Sequence, residues 1–129
     1  KVPKTLAHLH YWAVEMTRPA SKDEVLDALR TSSRIQLIRY ADGLSALNTV
    51  KELMSDAGRP RADLYEVALW EDMLKVQGNE LFYAYMVDNQ AIVVPETIDA
   101  IRALTQAESE AKVSITRTDA AMGIGKLPR

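Results

Sequence analysis

The chain contains no cysteine, which excludes disulfides, thiolate metal sites and a cysteine nucleophile supplied from within these 129 residues. It has no apolar run near the roughly 18 residues that a membrane-spanning helix needs, and its start, Lys1-Val2-Pro3-Lys4-Thr5, has no signal-peptide apolar core. It also lacks a basic stripe. Lysine and arginine are spread along a sequence of net charge −2, which argues against nucleic acid as the main partner. Low-complexity tracts and internal repeats are missing too. With 47% hydrophobic and 26% charged residues the composition is that of an ordinary folded protein, and the length suits one domain. The expected compartment is the cytosol. Because the first residue is not methionine and a strand begins almost at once, the sequence reads as a piece of something longer.

Both histidines lie in Thr5 to Glu15, T-L-A-H-L-H-Y-W-A-V-E, beside an aromatic cluster. As a strand this run alternates its side chains between two faces. Leu6, His8, His10, Trp12 and Val14 then share one side, and Thr5, Ala7, Leu9, Tyr11 and Ala13 fill the other. The second face suits packing under helices, which leaves the histidine face free for a cleft.

Further on, Ser21-Lys22-Asp23-Glu24 is a capping box that starts a helix running to about Leu29. Arg34 to Tyr40 reads as a strand. Ser45 is placed to cap a helix over Ala46 to Asp56, with Gly58 just past its end. Leu64–Trp70, Met73–Val76 and Leu81–Val87 predict an antiparallel meander, since links this short cannot make a parallel crossover. Ala91 to Val94 reads as extended up to Pro95, which opens a helix whose Ile98, Ile101 and Leu104 should face the core. A weakly apolar helix over Ser109 to Ala121 ends at Gly123, and so polar a helix is expected to pack on another domain or subunit or to be loosely held. The pattern as a whole is an α+β domain.

Two histidines two apart on a strand place their Cα atoms about 6.6 Å apart and can supply two zinc ligands. The third ligand is not marked, so no metal centre is assigned. An imidazole titrates near neutral pH and can serve as a general base. The other reading is a core histidine bonded to a backbone carbonyl, and spacing alone favours it. Arg59-Pro60-Arg61 can hold a phosphate or carboxylate bidentately, although paired loop arginines are more often solvated or at interfaces. Tyr65, Trp70, Phe82, Tyr83 and Tyr85 can suggest a ligand box, with core packing as the simpler explanation. Gly123-Ile124-Gly125 lacks the strand and helix that a phosphate loop requires.

Three segments carry more than pattern. They are Thr5-Leu6-Ala7-His8-Leu9-His10, Gly58-Arg59-Pro60-Arg61 with Asp63-Leu64-Tyr65-Glu66-Val67, and Ile92-Val93-Val94-Pro95-Glu96-Thr97-Ile98-Asp99-Ala100-Ile101-Arg102-Ala103. Together with the tail from Ser114-Ile115 to Met122-Gly123-Ile124-Gly125-Lys126, they resemble the archaeal, or type II, glyceraldehyde-3-phosphate dehydrogenases over nearly all of the chain.

That resemblance implies residues 1–129 as one domain, the C-terminal piece of the catalytic domain, with a mixed, mainly antiparallel sheet and helices packed on one face. The NAD(P)-binding Rossmann domain and the cysteine nucleophile would lie upstream. It further implies glyceraldehyde 3-phosphate and inorganic phosphate as substrates, NAD or NADP as cofactor, and a homo-oligomer, most often a tetramer. In the family motif the first histidine takes the proton as cysteine attacks; here it falls on His8, with His10 in support behind it. Two departures stand out. Asp88-Asn89-Gln90-Ala91 replaces the family's H-Q-E-S, and Asp119 stands where the family tends to have asparagine near the nicotinamide carboxamide. The resemblance makes Asp119 a cofactor-binding candidate, although a carboxylate only accepts hydrogen bonds whereas an amide also donates. The first departure motivates an alternative, a non-catalytic assembly domain of the same ancestry.

Overall fold

The computed structural model describes residues 7–125. Thr5, Leu6 and Lys126, which the sequence reading included, lie outside them. Five strands and four helices follow in the order β1 (Ala7–Glu15), α1 (Lys22–Arg30), β2 (Ile35–Ile38), α2 (Leu47–Asp56), β3 (Val67–Trp70), β4 (Lys75–Gln77), β5 (Glu80–Asp88), α3 (Val93–Leu104) and α4 (Ala111–Met122). Single 3-10 turns occupy Tyr40–Asp42, Pro60–Ala62 and Glu71–Met73.

β5 is central. β1 runs antiparallel to it from Ala7 opposite Asp88 to Glu15 opposite Glu80, β3 and β4 lie antiparallel on its other side, and β2 adds parallel to β3. The domain is therefore α+β with a mixed, mostly antiparallel sheet, as expected. The three middle strands differ from a meander, because β3 and β4 both pair with β5 and not with each other. The turn Glu71–Met73 between them bends the chain without reversing it. The reversal comes one link later, where Gly78 at φ 64° opens the tight loop between β4 and β5.

Local rules explain most helix ends. Ser21 Oγ accepts from Glu24 N at 3.2 Å, and Ser21 N donates to Glu24 Oε2 at 2.7 Å, so the predicted capping box is formed. The N-cap of α2 is Ala46, one residue later than the predicted cap Ser45, and the Thr49 hydroxyl donates to the Ala46 carbonyl at 2.8 Å. Ala91 to Val94 is not extended. The Asp88 carboxylate accepts from Gln90 N at 3.0 Å and Ala91 N at 3.1 Å, which folds this segment into a turn leading into α3. Pro95 then occupies the third helical position, where a missing N–H costs no intrahelical bond.

Packing divides by face. Ala7 and Leu9 of β1, Met86 of β5, Ala68 and Trp70 of β3 and Ile38 of β2 form one cluster with Leu47, Val50 and Met54 of α2. Gln36, on the same side of β2 as Ile38, donates to the Gly125 carbonyl just past α4, which places the C-terminal helices over this face too. Leu69 points the other way and packs with Leu26 of α1 and Leu74. So α1 covers part of the second face, where all helices were expected on one face, because its stripe Val25, Leu26 and Leu29 needs an apolar surface and Leu37 and Leu69 provide one. On α3 the predicted core residues do not all turn inward: Ile101 is 54% and Leu104 84% exposed, while Pro95 is buried. Its inward seam is polar. Asp99 and Arg102 meet Ser114 and Thr118 of α4, and these hydrogen bonds set the rotation of the helix in place of its apolar stripe.

Candidate functional site: an open histidine face on β1

The burial of Ala7 and the packing of Leu9 under α2 fix which way β1 faces, since a one-residue slip would turn its histidines into the core. His8, His10, Trp12 and Val14 consequently share the second face, at the edge that α1 leaves open. In register, His8 lies opposite Val87, His10 opposite Tyr85 and Trp12 opposite Tyr83.

The two imidazoles are not equivalent. His10 is half-buried and lies flat on Tyr85, with centroids 4.9 Å apart and planes at 13°. His8 is exposed, and its ring meets that of His10 edge-on at 5.9 Å and 71°. Trp12, 49% exposed, donates from Nε1 to the Tyr85 hydroxyl at 3.1 Å, and Tyr83 lies 6.0 Å beyond Tyr85. Burial pushes the Tyr83 phenol up, and the neighbouring Tyr85 adds to this, so that ring stays neutral. An exposed imidazole backed by a fixed aromatic stack can accept a proton from a group approaching across the open face.

Asp119 is not brought to this face. It is 7% exposed beside β2, at the sheet edge opposite β1, where Arg34 Nε donates to its Oδ1 at 2.8 Å and the Ser33 hydroxyl to its Oδ2. Both carboxylate oxygens are therefore engaged. Arg34 also donates to Asp99 at 2.6 Å and Glu96 at 2.7 Å. Burial disfavours its charge, but the three carboxylates outweigh this and raise its pKa. Burial likewise works against a charged Asp99, whereas hydrogen bonds from Ser114, Thr118 and Arg34 bring its carboxyl down to about 2.

Neither loop arginine is free. Arg59 grips the fully buried Glu66 at 2.6 and 2.7 Å, lies over the Tyr65 ring at 5.3 Å, and donates to the Gly123 carbonyl at 3.0 Å. Arg61 pairs with Asp63 at 2.9 Å. The aromatic residues do not form one box either: Trp70 is buried under α2 and donates to the Leu44 carbonyl at 2.6 Å, whereas Tyr83 and Tyr85 lie on the other face. Among the described residues no group of three histidine, aspartate or glutamate side chains is arranged to hold a metal ion.

Asp88 has a definite job. Besides the two turn amides, its carboxylate accepts from Lys51 of α2, and these bonds lower its pKa against the opposing effect of burial. Opposite Ala7, it anchors the end of β5 next to the residue that faces His8. Sequence alone does not show the stack of Tyr85 on His10 or its bond from Trp12. Alternation sorts each strand by itself, and only the pairing of β1 with β5 brings Trp12 and Tyr85 to one face.

No protein-family model matches the chain. It is 40% identical over 128 residues to a glyceraldehyde-3-phosphate dehydrogenase of Methanopyrus kandleri, covering 99% of this chain and 37% of that protein. The corresponding enzyme of Metallosphaera sedula is 43% identical over 124 residues, covering 96% of this chain and 36% of that protein. That of Haloarcula marismortui is 39% identical over 126 residues, covering 98% and 36%. The chain thus spans little more than a third of the length of these relatives. Along almost its whole length it is related to the archaeal glyceraldehyde-3-phosphate dehydrogenases, consistent with a C-terminal part of such a protein.

Proposed function

We propose that the chain is the C-terminal piece of the catalytic domain of a phosphorylating glyceraldehyde-3-phosphate dehydrogenase, and that His8 is its general base. The observation that carries this reading is the exposed His8 imidazole on an open face, held edge-on by His10, in a chain 37–43% identical to enzymes of that name. In this reading a cysteine sulfur from the part of the enzyme outside these 129 residues attacks the aldehyde carbon of glyceraldehyde 3-phosphate. His8 takes the thiol proton as the carbon–sulfur bond forms, and the imidazolium so formed would stabilise the developing oxyanion. Once that carbon has given up its hydride, the thioester so formed would pass its acyl group to inorganic phosphate, releasing the cysteine thiol. His10, stacked on Tyr85, supports His8 from the side.

NAD or NADP would accept the hydride. The candidate Asp119 accepts from Ser33 and Arg34, and binding of the cofactor is assigned mainly to the Rossmann domain outside this chain. The Asp119 side chain is read as holding α4 to β2. A homo-oligomer, a tetramer by analogy with the family, and a cytoplasmic location complete the proposal.

The second reading, a non-catalytic assembly domain of the same ancestry, is favoured by Asp88-Asn89-Gln90-Ala91, whose first residue serves the turn and Lys51. An assay of the full-length protein separates the two. Phosphate-dependent reduction of NAD or NADP with glyceraldehyde 3-phosphate, together with none for the 129-residue chain alone, supports the enzyme. No reduction by the full-length protein supports the assembly domain, and reduction by the isolated chain contradicts both.

A further inference from the structure

We infer that Tyr85 is a positioning residue for the histidine pair: its ring is the floor on which His10 lies, and through His10 it sets the orientation of His8. The inference rests on reading His8 as the base. Tyr85 is held from several directions. Its backbone is in register with His10 of β1 on one side and Leu69 of β3 on the other. The body of its ring packs against the cluster beneath α1, and its hydroxyl accepts the Trp12 indole N–H at 3.1 Å.

His8 is in register with Val87 but lacks this support for its ring. It is exposed on a strand at the sheet edge, and the ring beside it is His10, at 5.9 Å and 71°. The cross-strand stack at 4.9 Å and 13° connects that ring to Tyr85, so order passes from the packed second face to Tyr85, to His10 and then to His8. Tyr85 acts through His10 and does not itself stack on His8. Its contribution is geometric: a misplacement of about 1 Å in a reacting group can cost about a hundredfold in rate.

The chain has two histidines, so the imidazole C–H region of its NMR spectrum holds two sets of signals, assigned by His8→Gln and His10→Gln. In Tyr85→Leu, the His10 signals should lose the ring-current displacement of the stack and the His8 signals should move with them. Tyr85→Phe, which keeps the ring but loses the Trp12 bond, should displace both far less than Tyr85→Leu does, and by a small, matching amount. In the full-length enzyme Tyr85→Leu should lower kcat by about ten- to a hundredfold with KM within about twofold, and Tyr85→Phe should restore kcat to within about threefold. If Tyr85→Leu does not fold, Trp12→Phe and Tyr85→Phe decide. Both remove the indole–hydroxyl bond, and each should displace the His10 and His8 signals together by a small, matching amount. His8 signals that ignore Tyr85→Leu, or that ignore both hydroxyl-bond variants, overturn the inference. Coupled signals in a protein whose turnover survives His8→Ala instead overturn the base reading and leave the coupling standing.

Discussion

Arg34 Nε donates to Asp119 Oδ1 at 2.8 Å, joining the entry of β2 to the last helix across 85 positions of sequence. The same guanidinium reaches Asp99 and Glu96 of α3, so one side chain ties both C-terminal helices to the sheet. This matters because α4 turns Ser114, Thr118 and Asp119 inward, where a helix usually places apolar residues.

Removing Asp119 tests the tie. Asp119→Ala leaves the Ser33 hydroxyl and one Arg34 N–H without a partner, while Arg34 keeps Glu96 and Asp99. Urea unfolding should show a loss of about 1–3 kcal/mol. Asp119→Asn, whose amide oxygen can still accept from Arg34, should lose about 1 kcal/mol or less.

Among the described residues Arg59 and Glu66 form the most deeply buried ion pair, with Glu66 at 0% exposure. Arg59→Ala leaves a buried carboxylate unpaired and should destabilise by about 3–5 kcal/mol, measured as a shift in the urea midpoint. Arg59→Met combined with Glu66→Leu should recover most of that loss, because no uncompensated charge remains.

Acid should loosen the C-terminal helices. The folded-state pKa of Asp99 is about 2, below its usual 3.8, and that of Asp88 is lowered as well. A carboxylate with a depressed folded pKa contributes stability that is present above the unfolded pKa and is lost as pH falls through the folded one. Stability should hold above about pH 4 and drop between about pH 4 and pH 2. Asp99→Asn should be less stable at pH 6 and show a shallower drop in that window, as read by urea midpoints across the pH series.

Local chemistry was legible in the sequence. The box formed by Ser21 and Glu24 needs only neighbours three apart, and the alternation of β1 put His8 and His10 on one face without knowledge of any partner. The stack of His10 on Tyr85 was not legible, because its register depends on strands 75 residues apart. Ile101 and Leu104 were misassigned for a related reason. Helical spacing marks an apolar stripe, but the polar seam of Asp99, Arg102, Ser114 and Thr118 decided which side of α3 turned inward. The partners of Asp119 lie 85 and 86 positions away, so the chain itself gave no sign that its carboxylate was already engaged.

The most direct test of the account is turnover of the full-length enzyme with His8 replaced by alanine and, in parallel, His10 replaced by alanine. Loss of a general base should lower kcat of the His8→Ala variant by about two to four orders of magnitude, with a smaller loss for His10→Ala. Wild-type turnover in His8→Ala would contradict the assignment of His8 as the base.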